Sequence, residues 1–172
     1  MLRDIFIITF LYETGARAGE LSSLGTEIMN KTTKCRQKTY WLTVYGKTDD
    51  RDLSFTERTA ELWRAWQTVR PPYCSDYAII GWGNGHPPAQ LKPNGISQMI
   101  AKRCVQAGVA PFRAHALRRR KINRSRKTVG LEVASLLVDH SNLDTTQTYV
   151  DIDENELNSA IIATGLKLDV WI

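Results

Sequence analysis

Apolar positions fall in blocks along this chain, and their spacing changes from block to block. From Leu2 to Glu13 they sit on almost every side (Ile5, Phe6, Ile7, Ile8, Phe10, Leu11), which predicts a helix buried on most faces. Thr14-Gly15 breaks it, and Ala16 to Leu24 restarts as a short helix. Thr39 to Tyr45 is β-branched and aromatic and predicts a strand. Gly46 to Asp50 has turn chemistry, and Arg51 to Phe55 returns as the second strand of a hairpin. Thr56 is the expected N-cap of a helix running to Arg70, with Leu62, Trp63, Trp66 and Val69 at helical spacing as packing residues and Pro71-Pro72 as its stop. Tyr77 to Trp82 reads as a short buried strand, followed by a Gly- and Pro-rich loop, with His86 in it, as far as Pro93. Asn94 is expected to cap a helix with Ile96, Met99, Ile100 and Cys104 on one face, closed by Gly108. Beyond Pro111 come a basic segment from His115, a helix from Leu131 to Val138, and a short helix carrying Tyr149. The last helix starts on the Asp153/Glu156 pair, carries Leu157, Ile161 and Ile162, and stops at Gly165. The expected architecture is mainly α with a small antiparallel β-sheet.

At 172 residues and 42% apolar content the chain is the size of one domain with a real core. Cys35, Cys74 and Cys104 are odd in number and widely spaced, so neither a disulfide framework nor a zinc site is expected. No apolar run approaches the roughly 18 residues of a membrane span, and the N-terminus lacks the layout of a signal peptide. A cytoplasmic protein without a membrane partner is expected.

Charge changes the picture once it is located. The net charge is +5, but Lys92 to Lys127 holds eleven Lys and Arg and no carboxylate, while the remainder holds 12 basic and 18 acidic residues. Seven of the cations crowd into Arg118, Arg119, Arg120, Lys121, Arg124, Arg126 and Lys127. At about 100° per residue these seven surround a helix and leave only Leu117 and Ile122 to pack. A basic block on an otherwise acidic chain is the footprint of a phosphate-backbone binder; a solvated basic face or an RNA-binding arm has the same composition.

Five short motifs stand in order. Thr14-Gly15-Ala16-Arg17-Ala18-Gly19-Glu20-Leu21 puts an arginine after a glycine break with Glu20 three residues on. Gly46-Lys47-Thr48 puts a lysine at a hairpin tip. His115-Ala116-Leu117-Arg118 has the form H-x-L-R. Leu136-Leu137-Val138-Asp139-His140 ends an apolar run on a histidine, and Thr145-Thr146-Gln147-Thr148-Tyr149 delivers a tyrosine nine residues later. Singly these also read as a surface i, i+3 ion pair, hairpin solubility, a structural histidine and a half-buried core aromatic. A phenol is a poor nucleophile unless positive groups surround its target, and the set supplies them.

Taken together, the order Arg, Glu, Lys, His-x-x-Arg, His, Tyr resembles the catalytic domain of the tyrosine recombinases, the phage-integrase family, over nearly the whole chain. The resemblance implies the DNA breaking-rejoining catalytic-domain fold and site-specific recombination of double-stranded DNA, of the kind carried by a phage, plasmid or integrated element. It implies that Tyr149 attacks a phosphodiester to form a 3′-phosphotyrosyl bond, that Arg17 and Arg118 clamp the phosphate, and that Lys47 protonates the leaving 5′-oxygen. His115 and His140 then donate hydrogen bonds or assist proton transfer, and Glu20 orients the pocket. Arg119, Arg120, Lys121, Arg124, Arg126 and Lys127 are expected to bind DNA, near the nucleoid, with neither a metal nor any other cofactor. Beside this enzyme reading stand a DNA-binding remnant without activity and a type IB topoisomerase-like enzyme.

The chain departs from the family pattern in three places. It is expected to be a single catalytic domain, 1–172, without the N-terminal core-binding domain or the first catalytic-domain helix. Asp139 stands where the family usually has glycine, and Arg119-Arg120-Lys121 where it tends to small and apolar residues. The apolar tail from Leu166 to Ile172 either packs on its own chain or, as the resemblance implies, docks on a neighbouring protomer, and weak self-association on DNA is the expectation.

Overall fold

The computed structural model describes residues 1–30, 33–34, 39–45, 50–71, 76–83, 86–138 and 154–165. In chain order these form α1 (Leu2–Thr14), α2 (Ala18–Ser23), α3 (Thr26–Asn30), β1 (Thr33–Lys34), β2 (Thr39–Tyr45), β3 (Asp50–Thr56), α4 (Glu57–Val69), β4 (Ile80–Gly83), β5 (His86–Gln90), α5 (Pro93–Gln106), α6 (Ala114–Val138) and α7 (Glu154–Thr164). The expected Lys47 turn, the short helix around Tyr149, Cys35, Cys74, His140 and the tail 166–172 lie outside the described residues. Among the described residues no helix is long and apolar enough to cross a membrane.

The molecule is built around α1. Phe6, Ile7, Phe10 and Leu11 are fully buried, and the helix packs against α4, α5, α6 and β3. Aromatic rings fasten two of these neighbours: Phe6 lies 5.4 Å from Trp63 of α4, and Phe10 lies 5.7 Å from Phe55 of β3, measured between ring centroids. Trp66, the other tryptophan at helical spacing on α4, is buried and donates its indole N–H to the Ala78 carbonyl at 3.1 Å. Thr56 takes the N-cap position of α4 as expected, but makes no side-chain cap bond. The carboxylate of Glu13 on α1 serves instead, accepting from the Thr56 amide at 3.0 Å and from the Thr59 hydroxyl at 2.8 Å. An anion at a helix N-terminus also complements the helix dipole.

β1, β2 and β3 form an antiparallel sheet in that order, with Tyr40 opposite Phe55, Leu42 opposite Leu53 and Val44 opposite Arg51. These pairs share the face turned to the core, since side chains alternate along a strand. Two expectations are corrected in the next stretch. The loop expected before Pro93 contains β5, which pairs with β4 as a second, two-stranded sheet, and His86 belongs to that strand. α5 is capped by Lys92 with Pro93 at its first turn, so Asn94 lies inside it. The expected face of α5 is otherwise present: Ile96, Ile100 and Cys104 are buried, Met99 partly.

The basic helix is resolved in an unexpected way. α6 runs from Ala114 through a kink at Gly130, whose φ of 84° is left-handed. Its buried residues before the kink, Ala114, Leu117, Arg118, Lys121 and Ser125, recur at helical spacing and form one face. Arg118 and Lys121 are therefore packing residues, their stems covering apolar surface, and not members of a solvated ring of charge. α7 closes this side: Ala160 and Ile161 are buried beside Trp41, Ile122 and Val129, while Ile162 stays exposed.

Lys121 donates its ammonium to Thr164 Oγ1 of α7 at 2.8 Å. Burial lowers its pKa from the ordinary 10.5 to about 8, against the opposing pull of the Glu13 carboxylate and with a small push from Arg124. Between those two pH values the unfolded chain binds the proton more tightly than the folded one, so the Lys121 contribution to stability rises with pH. A displacement of this size amounts to about 3 kcal/mol. Lys121→Met is expected to remove that slope: the difference in unfolding free energy between wild type and variant shifts toward wild type by up to about 3 kcal/mol from pH 8 to pH 10.5. Chemical denaturation at a series of pH values measures it.

Candidate active site

The break between α1 and α2 is built by its own residues. Gly15 adopts φ 66° and ψ 19°, the left-handed C-cap that a Cβ disfavours, and its amide reaches back to the Leu11 carbonyl at 3.1 Å. Thr14 folds its hydroxyl onto the Phe10 carbonyl at 2.7 Å and accepts from the Ala16 amide at 3.0 Å. Arg17 follows in extended conformation as the N-cap of α2, with Glu20 at the third helical position.

Glu20 then holds the start of α2. One carboxylate oxygen accepts from the Arg17 amide at 2.6 Å, and the other from the Arg17 guanidinium at 3.0 Å. The Arg17–Glu20 pair is thus more than a solvated i, i+3 contact. The Arg17 side chain is 56% exposed and that of Glu20 only 8%, and Glu20 is also paired with buried Arg51 of β3.

From the other side comes α6. Arg118, 6% exposed, donates Nη1 to the Gly15 carbonyl at 2.5 Å across 103 residues of sequence. Two arginines far apart in the chain are thereby brought to one backbone break. His115 lies one helical turn before Arg118 and is exposed. Of the expected site residues, Arg17, Glu20, His115 and Arg118 are therefore located, with Arg118 bonded to Gly15 at the break and Arg17 paired with Glu20 just after it. Lys47, His140 and Tyr149 lie outside the described residues.

The expected DNA-binding cations divide. Arg119, Arg120, Arg126 and Lys127 are exposed, and Arg124 is half-buried with Nη1 on the Tyr12 hydroxyl at 3.1 Å. Lys121 is a correction: it is 2% exposed and bound to Thr164, so its ammonium does not face a duplex. Arg51 is the residue that motif reading passed over. A signal was present, because an arginine in phase with Leu53 and Phe55 falls on the apolar face of its strand. Among the described residues no group of three or more His, Cys, Asp or Glu could hold a metal ion.

The Phage integrase family model matches residues 1–156. The chain belongs to the phage integrase family. No individual curated protein matches it in sequence. Among solved structures this integrase-family chain is similar to the XerH site-specific recombinase bound to difH substrate in a pre-cleavage complex, at 21% identity and a TM-score of 0.64, over 92% of this chain and 46% of XerH. It is similar also to the XerA recombinase, at 19% identity and a TM-score of 0.65, over 97% of this chain and 60% of XerA. The chain spans about half the length of these recombinases, and the likeness establishes a tyrosine recombinase catalytic-domain fold.

Burial pushes the Glu20 carboxyl up, but hydrogen bonds and charge from Arg51 and Arg17 outweigh it and hold the pKa below the ordinary 4.5. Above that ordinary value both folded and unfolded chains carry the carboxylate and its contribution to stability is full. As pH falls through the lowered folded value, the unfolded state has already taken the proton and the contribution is lost. Glu20→Gln removes the carboxylate charge that pairs with buried Arg51 and is expected to cost about 3–5 kcal/mol at neutral pH. The wild-type advantage over the variant is expected to shrink below pH 4.5, as followed by denaturant titration across pH.

Proposed function

We propose that this chain carries the catalytic centre of a site-specific DNA recombinase that cleaves and rejoins strands through a 3′-phosphotyrosyl intermediate. The observation that supports this reading is the hydrogen bond from Arg118 to the Gly15 carbonyl, two residues before Arg17. Two guanidiniums gathered at one break suit a phosphodiester: each is planar, permanently charged and able to donate to two oxygens at once.

In this reaction the Tyr149 oxygen attacks phosphorus, a Tyr–O–P bond forms and the P–O5′ bond breaks. The phenolic proton passes to a neighbouring base, for which His115 and His140 are the candidates, and Lys47 delivers a proton to the departing 5′-oxygen. Arg17 and Arg118 stabilise the charge that grows on the non-bridging oxygens, and Glu20 keeps Arg17 in place. A partner strand's 5′-hydroxyl then reverses the step on the phosphotyrosyl ester. One ester is exchanged for another, so rejoining draws on no nucleotide triphosphate. Exposed Arg119, Arg120, Arg126 and Lys127 supply contacts to the duplex backbone. Self-association on DNA through the tail 166–172 belongs to the same reading, supported by exposed Ile162 on α7 just before it.

A nicked suicide substrate tests the chemistry. A covalent protein–DNA adduct is expected that disappears in Tyr149→Phe, with Arg17→Ala and Arg118→Ala each slowing its formation by about 10²–10³-fold. Salt-sensitive binding with no adduct would mark a non-cleaving DNA-binding protein, and supercoil relaxation without strand exchange a topoisomerase. Binding has its own check. Replacing Arg119 and Arg120 by Ala is expected to lessen the slope of log affinity against log salt by up to about 2, whereas Lys121→Ala leaves it unchanged. Fluorescence anisotropy with a labelled duplex at several salt concentrations reads both.

A further inference from the structure

Among the described residues on the core-facing side of the β2–β3 hairpin, Arg51 is the charged one, and it is 4% exposed. Its guanidinium meets the Glu20 carboxylate side-on: Nε donates to Oε1 at 3.0 Å and Nη2 to Oε2 at 2.5 Å. The same two oxygens receive Arg17, its guanidinium on Oε1 at 3.0 Å and its backbone amide on Oε2 at 2.6 Å. Each oxygen thus bridges an arginine of the hairpin and an arginine of the α1–α2 break. We infer that Arg51 is a positioning residue for strand cleavage, acting through Glu20 to fix the backbone and guanidinium of Arg17. The inference rests on the reading of Arg17 as a phosphate clamp given under Proposed function.

An arginine side chain more than half exposed samples many rotamers unless something stiff holds it. Arg51 stiffens Glu20 by gripping both oxygens in the fork geometry that guanidinium and carboxylate share. Without Arg51 the carboxyl is buried with one cation fewer, and burial favours its protonated form. A protonated oxygen is a donor, and one that faced the Arg17 amide would set donor against donor. Arg17 would lose its anchor even though nothing in contact with it had been replaced.

The experiment separates positioning from mere support of the fold. Arg51→Gln and Arg51→Lys are compared with wild type, Arg17→Ala and Lys47→Ala in duplex affinity, adduct formation and amide hydrogen exchange by NMR. Arg51→Gln is expected to bind duplex as wild type does and to form adduct about 10–100-fold more slowly, the usual scale for removing a residue that orients another. Arg51→Lys is expected to fall between. On a substrate with sulfur at the 5′-bridging position, whose leaving thiolate needs no proton, Lys47→Ala regains its rate and Arg51→Gln does not, as for Arg17→Ala. Exchange at the Arg17 amide quickens in Arg51→Gln while Phe10 and Leu11 of α1 keep their protection. The inference is overturned if sulfur restores Arg51→Gln, if the Arg17 amide exchanges at the wild-type rate, or if all amides quicken together. If Arg51→Gln does not fold, Arg51→Lys and Glu20→Gln supply the same comparison. If wild type forms no adduct, the proposed function fails, and the exchange measurement still decides whether Arg51 holds Arg17.

Discussion

A helix cannot end without leaving carbonyls unpaired, and here the end of α1 is turned to use. The left-handed Gly15 directs its own carbonyl at α6, where the buried guanidinium of Arg118 takes it. One hydrogen bond therefore belongs both to the packing of α1 on α6 and to the placing of two arginines at one break. A residue with a Cβ at position 15 would strain the turn by about 1 kcal/mol. The larger effect would be to re-aim the carbonyl, and with it the register of α6 against the break.

The interior carries an unusual load of charge. Asp4, Glu13, Glu20, Arg51, Arg118 and Lys121 are all buried, and buried pairs seldom stabilise a fold more than apolar residues of similar volume. Their value lies in fixed direction. Asp4 at the first turn of α1 takes the guanidinium of Arg103 and joins α5 to the far end of that helix. Glu13 anchors the start of α4, and Glu20 the start of α2. At Lys121 the hydrogen-bond partners on Thr164 are neutral, and the Glu13 charge only partly offsets its burial. Its lowered pKa is the signature of a cation used for packing.

Much of this was legible in the pattern of residues. α1, β2, β3, α4 and α7 follow from periodicity and breakers, because each buries a regular stripe or face. β5 was hidden by Pro87 and Pro88, which read as loop; a two-stranded ribbon tolerates them because it has an edge on each side. α3, five residues long, has too little periodicity to register. On α6 a count of apolar residues misleads, since the stems of Arg118 and Lys121 supply the missing packing face. Motif order picked out Arg17, Glu20 and Arg118, but no motif spells a contact from a side chain to the Gly15 carbonyl. Arg51 was visible only to a reading of strand phase, where a polar residue in an apolar register calls for a buried partner.

The separation of exposure from positioning is what makes the arrangement chemically useful. In the proposed reaction the clamping guanidiniums must be open to the phosphate on one side, yet donors that rearrange on binding give up part of their effect in the transition state. Arg17 meets both demands by division of labour. Its tip is open, while its backbone amide and one guanidinium nitrogen are held by a carboxylate that solvent barely touches. The second arginine is fixed from the opposite side by a backbone carbonyl, which unlike a carboxylate neither titrates nor neutralises the cation it holds. The positive charge of Arg17 is thus partly balanced by Glu20, while the Gly15 carbonyl takes none from Arg118.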